Sequence, residues 1–118
     1  MVLGHVEAER LLLLYQAATV LLFPSLEEGF GLPVLEAMAH GLPVVAANTS
    51  SLPEVGGDAV LYVDPREPRD IAEKVLEVMD DAALRRELIE RGMARAREFT
   101  WQRLGEQTCQ VYDEVLAM

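Results

Sequence analysis

The 118-residue chain has a single cysteine, Cys109, so it can form no internal disulfide and offers no thiolate cluster for a metal. It has two histidines, His5 and His40, and neither has a metal-ligand partner at useful spacing. Basic residues are scarce where an anion would need them. Residues 1–65 hold eight acids against one base, Arg10, a net of −7 within a total of −10. Nucleic acid is therefore excluded as a direct partner, because backbone phosphates are met by clustered Lys and Arg. Any anion bound by the first half must rely on backbone dipoles or on groups outside this chain. A long hydrophobic run is also lacking. The longest, Leu11 to Phe23, is 13 residues interrupted by Gln16, too short to span a bilayer. Glu7 and Glu9 stand where a cleavable signal peptide carries positive charge, so a cytoplasmic location is expected.

What is present is a globular composition, 51% apolar and 25% charged, enough to offset the entropy of ordering. Strand-like and helix-like segments alternate. Val2 to Val6 reads as a short strand and Glu7 to Ala18 as a helix. Thr19 to Phe23 is a nearly all-apolar strand stopped by Pro24, the pattern of a strand covered on both faces. After a loop with Gly29 and Gly31, Pro33 fits the first turn of a helix that runs to about His40, with Gly41 placed to end it. Pro43 to Ala47 and Ala59 to Val63 are further strands, with a helical turn near Pro53 to Val55 between them. The rest is helical. One helix, 69–79, has an apolar face of Ile71, Val75, Val78 and Met79. A second, 82–98, uses Leu84, Leu88, Ile89 and Met93, and its charged run Arg85 to Arg97 reads as a solvated face. A third is capped by Thr100, with the stripe Trp101, Leu104, Thr108, Val111, Tyr112 and Val115. Trp101 and Phe99 are expected to anchor it to the sheet, and Cys109, near the stripe, is expected to be a buried thiol.

This order predicts an α/β fold, a Rossmann-like parallel sheet with flanking helices followed by C-terminal helices. Residues 1–65 form the sheet part and 66–118 the helical part of one partial domain. Three or four strands are few for such a sheet, which suggests the second half of a larger domain.

The chemistry concentrates in Pro24 to Gly41, PSLEEGFGLPVLEAMAHG, where a central strand ends and a helix starts. Ligands of open parallel sheets bind at this end of the strands. The glycines allow close approach of a ligand to the backbone, and the first-turn N–H groups with the helix dipole favour an anion. Glu28 lies in the loop and Glu36 about one turn inside the helix, so the two can face one cleft at different depths. A carboxylate can accept both hydrogens of a vicinal diol. On spacing alone, a helix-terminus acid, solvated loop charges and a turn glycine pair explain the same residues equally well. His40, next to the helix-ending Gly41, reads as structural. Ser25, Thr49, Ser50 and Ser51 fit either phosphate oxygens or ordinary turns.

The stretch FPSLEEGFGLPVLEAMAHGLPVVAANTSSLPEVGGDAVLYVDP closely resembles the C-terminal domain of retaining GT-B glycosyltransferases, specifically family 4, the glycosyl transferases group 1. Its E-x7-E motif stands as Glu28-GFGLPVL-Glu36, and the resemblance continues in LYQAATVLLFPS and FTWQRLGEQTCQVYDEVL. The resemblance implies binding of a nucleotide-diphosphate sugar and retaining transfer of a hexosyl group to an unknown acceptor. Glu36 is then expected to bind the ribose hydroxyls. Glu28, the catalytic candidate, would hold hydroxyls of the transferred sugar near the reaction centre. Backbone amides of Gly29, Phe30 and Gly31 would meet the donor sugar, and Leu32 and Pro33 the phosphate or nucleoside. No cofactor is implied beyond the nucleotide sugar, and no metal; a DxD motif does not occur. The family's upstream Arg and Lys, which neutralise the diphosphate, and its acceptor-binding N-terminal domain have no counterpart in this sequence, so the chain is expected to be part of a longer enzyme and inactive alone. The alternative is a non-catalytic or partner-dependent half that binds an N-terminal-domain partner or another chain, or forms a homo-oligomer. The nucleotide-sugar epimerases share the architecture but lack the GFGLPVLEAM context.

Overall fold

The computed structural model describes residues 2–117, with the backbone alone for Trp101 and Leu104. Three parallel strands, β1 (Leu21–Phe23), β2 (Val44–Ala47) and β3 (Leu61–Val63), lie side by side in chain order. The register pairs Leu21 with Val44 and Val45 with Leu61. Each crossover is helical: α2 (Leu32–Ala39) joins β1 to β2, and a short α3 (Leu52–Gly56) with a 3₁₀ turn (Gly57–Ala59) joins β2 to β3. Before the sheet comes α1 (Ala8–Ala17); after it come α4 (Pro68–Asp80), α5 (Ala82–Ala96) and α6 (Trp101–Leu116). The α/β reading with flanking helices holds. No helix among the described residues is long and apolar enough to cross a membrane.

The central strand shows why the sequence folds this way. All four residues of β2 are buried, as an uninterrupted apolar strand covered on both faces requires. Val44 and Ala46 pack with Tyr15, Val34, Met38 and Leu52 on one side, and Val45 packs with Val63, Val78 and Leu88 on the other. Proline and glycine punctuate the helices as expected. Pro33 lies in the first turn of α2, and Gly41 just beyond its end has φ +72°. Gly92 lets α5 approach α2 closely: a Cβ there would sit 3.3 Å from the Met38 side chain. Asp81 and Thr100 each accept a backbone N–H at 3.0 Å, from Leu84 and Arg103, capping α5 and α6.

Several expectations are corrected. Val2 to Val6 form no strand; Gly4 takes φ +66° and the described chain enters regular structure at Ala8. A short apolar segment becomes a strand only with a partner beside it, and among the described residues β1 pairs with β2 alone. Met79 is 50% exposed, so the buried face of α4 is Ile71, Val75 and Val78. Met93 is likewise exposed on α5. The charged run of α5 is not wholly solvated. The Arg85 guanidinium donates to the carbonyls of Val78 and Met79, closing the end of α4, and Arg95 donates to the carbonyls of Glu54 and Val55, closing α3.

The second half of the α6 stripe does not make a core. Val111, Tyr112 and Val115 are exposed, as is every described side chain from 105 to 117. Cys109 is exposed rather than buried, as are Val111, Tyr112 and Val115 beside it. A maleimide should therefore label Cys109 in the native protein about as fast as after denaturation. Protection in the native state would contradict the exposed helix. Phe99 does anchor the start of α6, but to the loop rather than the sheet: its ring meets Phe30 edge-on at 5.9 Å, with the Arg95 guanidinium 5.0 Å from its centroid. The Trp101 side chain lies outside the described residues. The radius of gyration, 16.0 Å, exceeds the roughly 13.5 Å of a compact chain of this length, in keeping with a final helix exposed from 105 to 117.

Candidate functional site

The site is built where the sheet delivers the chain. At the end of β1, Pro24 stops the strand and the segment from Ser25 to Gly31 turns back over the sheet to begin α2. At the end of β2, the polar segment Asn48–Ser51 leads into α3. These two loops are adjacent because their strands are paired, and side chains of the second hold the first.

The clamp consists of hydroxyls. Thr49 Oγ1 donates to the carbonyl of Ser25 at 2.9 Å. Ser50 Oγ donates to the Glu28 carbonyl at 2.7 Å and accepts the Glu28 N–H at 3.2 Å, so it serves both sides of that one residue. Ser51 Oγ also donates to the Glu28 carbonyl, at 3.2 Å, and so leaves the first turn of α3 without a side-chain cap. Ser50 adopts φ +58° to reach this position. That is a left-handed backbone in a non-glycine residue, and such strain persists where surrounding contacts over-determine it. For Thr49, Ser50 and Ser51 the side chains tie the two loops together, while the Ser25 hydroxyl donates within its own loop, to the Glu27 carbonyl at 3.0 Å.

Glu28 is half-buried, its backbone fixed by the clamp and its carboxylate 3.5 Å from Ser25 Oγ. Gly29 has open space around it, whereas Gly31 is buried at φ +83° as the N-cap of α2. The Gly31 carbonyl accepts the N–H groups of Val34 and Leu35. Phe30, Leu32 and Pro33 follow the turn, with Phe30 and Leu32 exposed on the helix N-terminal side. A groove of about 560 Å³ opens beside them, lined by Phe30, Leu32, Leu35, Phe99 and Arg103 among others. It contains neither Glu28 nor Glu36. The described residues include no group of three His, Cys, Asp or Glu able to hold a metal ion.

Glu36 is exposed on α2, yet one of its carboxylate oxygens has a partner. Tyr15, from α1, donates its phenol O–H to Glu36 Oε2 at 3.1 Å. Tyr15 is only 8% exposed. Its ring stacks on His40 with centroids 5.9 Å apart, and His40 Nδ1 donates to the Glu36 carbonyl at 2.7 Å. His40 is therefore structural, at the end of α2. Burial, the negative charge of Glu36 and the hydrogen bond to it, in that order, push the Tyr15 phenol up to about 12. The unfolded phenol titrates near 10, so the native state keeps its proton longer. The stability this brings is complete below pH 10 and is lost as pH rises through about 12. In thermal melts across that window Tyr15→Phe should lose less stability than the unmodified chain; parallel losses would contradict the buried contact.

Reading the sequence missed Tyr15 and Arg95. No local pattern marks a contact from Tyr15 to a residue 21 positions away, or from Arg95 to one 40 away. Apolar burial was the available signal for Tyr15, since it sits among leucines on a helix.

The sequence profile described as "Glycosyl transferases group 1" matches residues 1–95. The chain is 46% identical over 110 residues to the O-antigen chain mannosyltransferase B of Escherichia coli, covering 93% of this chain and 29% of that protein. It is 38% identical over 113 residues to the MMP alpha-(1->4)-mannosyltransferase of Mycolicibacterium hassiacum, covering 92% of this chain and 28% of that protein. Among solved structures, sucrose-phosphate synthase from Thermosynechococcus elongatus superposes with a TM-score of 0.82 at 32% identity, over 98% of this chain and 30% of the other. The C-terminal domain of a group 1 glycosyl transferase from Francisella tularensis gives 0.71 at 30% identity, over 80% of this chain and 50% of the other.

Proposed function

We propose, since this chain belongs to the glycosyl transferases group 1 family, that it binds the nucleotide-sugar donor of a hexosyl transfer that retains anomeric configuration. The chain spans under a third of the mannosyltransferases named above, so the activity of a whole enzyme, and mannose as the hexose, belong to this proposal. The observation that carries it is the pair Glu28 and Glu36, one clamped in the loop after β1 and one ordered by Tyr15 on the following helix.

In this reading Glu36 accepts hydrogen bonds from the ribose diol, which suits a carboxylate whose other oxygen is already occupied. Glu28, the catalytic candidate, accepts from hydroxyls of the transferred sugar beside the breaking bond. The backbone of Gly29, Phe30 and Gly31 lies along the sugar, and Leu32 and Pro33 meet the phosphate or nucleoside at the start of α2. The helix dipole there favours the diphosphate, as a helix N-terminus does for anions generally. The acidic balance of residues 1–65 leaves the remaining phosphate charge to cations beyond these loops. Family membership supports this reading over a non-catalytic module.

Calorimetric titration with UDP, GDP and ADP tests it. Binding of one of the three between micromolar and low millimolar is expected, and the preferred diphosphate names the base. No heat with any of them, at protein concentrations that report millimolar dissociation constants, would overturn donor binding by this chain.

A further inference from the structure

Glu36 sits on the exposed side of α2, where a glutamate ordinarily samples several rotamers. Its carboxylate is nevertheless held. Tyr15 reaches it from a different helix, and the phenol O–H meets Oε2 at 3.1 Å. The tyrosine is itself fixed: it is 8% exposed and part of the core cluster with Val34, Ala37 and Met38 on the same helix as Glu36. The His40 ring stacks against it at an interplanar angle of 25° and closes back on the Glu36 carbonyl. A buried, rigid donor thus acts on one oxygen of an exposed, flexible acceptor.

We infer that Tyr15 is a positioning residue of the donor site: by holding Glu36 Oε2 it sets the carboxylate rotamer and leaves Oε1 to accept from the ribose hydroxyls. This rests on the donor-binding reading above. The phenol touches no part of the ligand. Its effect is confined to interactions made through Glu36, that is, to recognition of the ribose diol. An untethered Glu36 must be ordered by the ligand itself, which lowers affinity for the ribose form by roughly 3–10-fold. A ligand lacking one hydroxyl has less to gain from the ordered carboxylate.

The test uses the full 118-residue chain, with the diphosphate of uridine, guanosine or adenosine that binds best, in ribose and 2′-deoxyribose forms. The unmodified chain is expected to prefer the ribose form by about tenfold or more, as for a charged hydrogen bond. Tyr15→Phe keeps the ring and its packing. It should cut that preference by roughly 3–10-fold while leaving affinity for the 2′-deoxy form within about twofold. A merely structural tyrosine would weaken both forms together, and that result would overturn the assignment. Full preference in Tyr15→Phe, with loss of preference in Glu36→Ala, would also overturn it while leaving Glu36 as the ribose ligand. An unmodified chain that binds neither form would remove the donor-site reading and this inference with it; one that binds both equally would remove ribose recognition by Glu36 and so overturn this inference while leaving donor binding in place.

Discussion

Glu36→Ala is expected to weaken binding of the preferred nucleoside diphosphate by at least about tenfold, the largest effect of any single substitution in the loop and helix after β1. The size follows from the bonds at stake. A hydrogen bond to a charged group is worth about 1.5–3 kcal/mol, and each 1.4 kcal/mol is about a factor of ten in affinity. Removing the carboxylate also strands the Tyr15 phenol, which is buried and donates to Glu36. An unsatisfied buried hydroxyl costs about 1–3 kcal/mol, so some stability is lost as well. Glu36→Gln separates the two effects. The amide oxygen still accepts from Tyr15, while the charge that strengthens the ligand's hydrogen bonds is gone. Glu36→Gln should therefore melt near the unmodified chain yet bind markedly less tightly. If both variants bound as well as the unmodified chain, the second glutamate of the motif would have no part in donor recognition.

Gly31→Val should be the most damaging change to the loop itself, lowering stability by about 2–5 kcal/mol, whereas Gly29→Ala should be neutral within about 0.5 kcal/mol. The two glycines look equivalent in the sequence, but their surroundings differ. Gly31 has φ +83°, and a Cβ on it would lie 2.6 Å from Leu52 Cδ2. Leu52 is fully buried, so moving its methyl aside displaces core neighbours. A left-handed backbone costs an L-residue about 1–2 kcal/mol, more for a β-branched one, and overpacking adds about 1–3 kcal/mol. Gly29 has nothing within 4 Å of such a Cβ. For a chain of this size the valine variant should melt roughly 10 °C or more below the unmodified protein. A small shift would mean that α2 can start without the left-handed turn.

These contrasts mark what could be read in advance. The strands β1 to β3 and helices α1 to α6 were legible because each is set by local physics: apolar runs covered on both faces, periodic leucines, Pro33 in a first turn, Gly41 beyond a last one, Thr100 as a cap. The E-x7-E spacing was legible for the same reason, since loop and helix are contiguous. Contacts that fix the site were not. The Ser50 and Thr49 clamp depends on two strands being neighbours, Tyr15 on one helix lying against another, and Arg95 on the end of α5 meeting the end of α3. A side chain that serves a distant carbonyl leaves no periodicity behind it. The misplaced strand at Val2 to Val6 and the misjudged Cys109 share this origin, because strand formation and burial both require a partner that the local pattern does not specify.

The exposed outer turns of α6 set apart two scales of opening within one chain. The amides of β2 lie in a sheet buried on both faces, and they meet solvent through disruption of the whole core. Those of α6 are protected by the helix's own hydrogen bonds, with every described side chain from 105 to 117 facing water. A helix of 16 residues with that little packing is close to the length at which isolated helices are marginal. Helix–coil relaxation at this length takes about a microsecond or less, and opening of α6 ahead of the sheet is the expected result of hydrogen exchange. Phe99, in contact with Phe30 and Arg95, stands where α5 and α6 join. The loop that carries Glu28 is thus anchored on the slow side by Ser50 and touched on the fast side through Phe30.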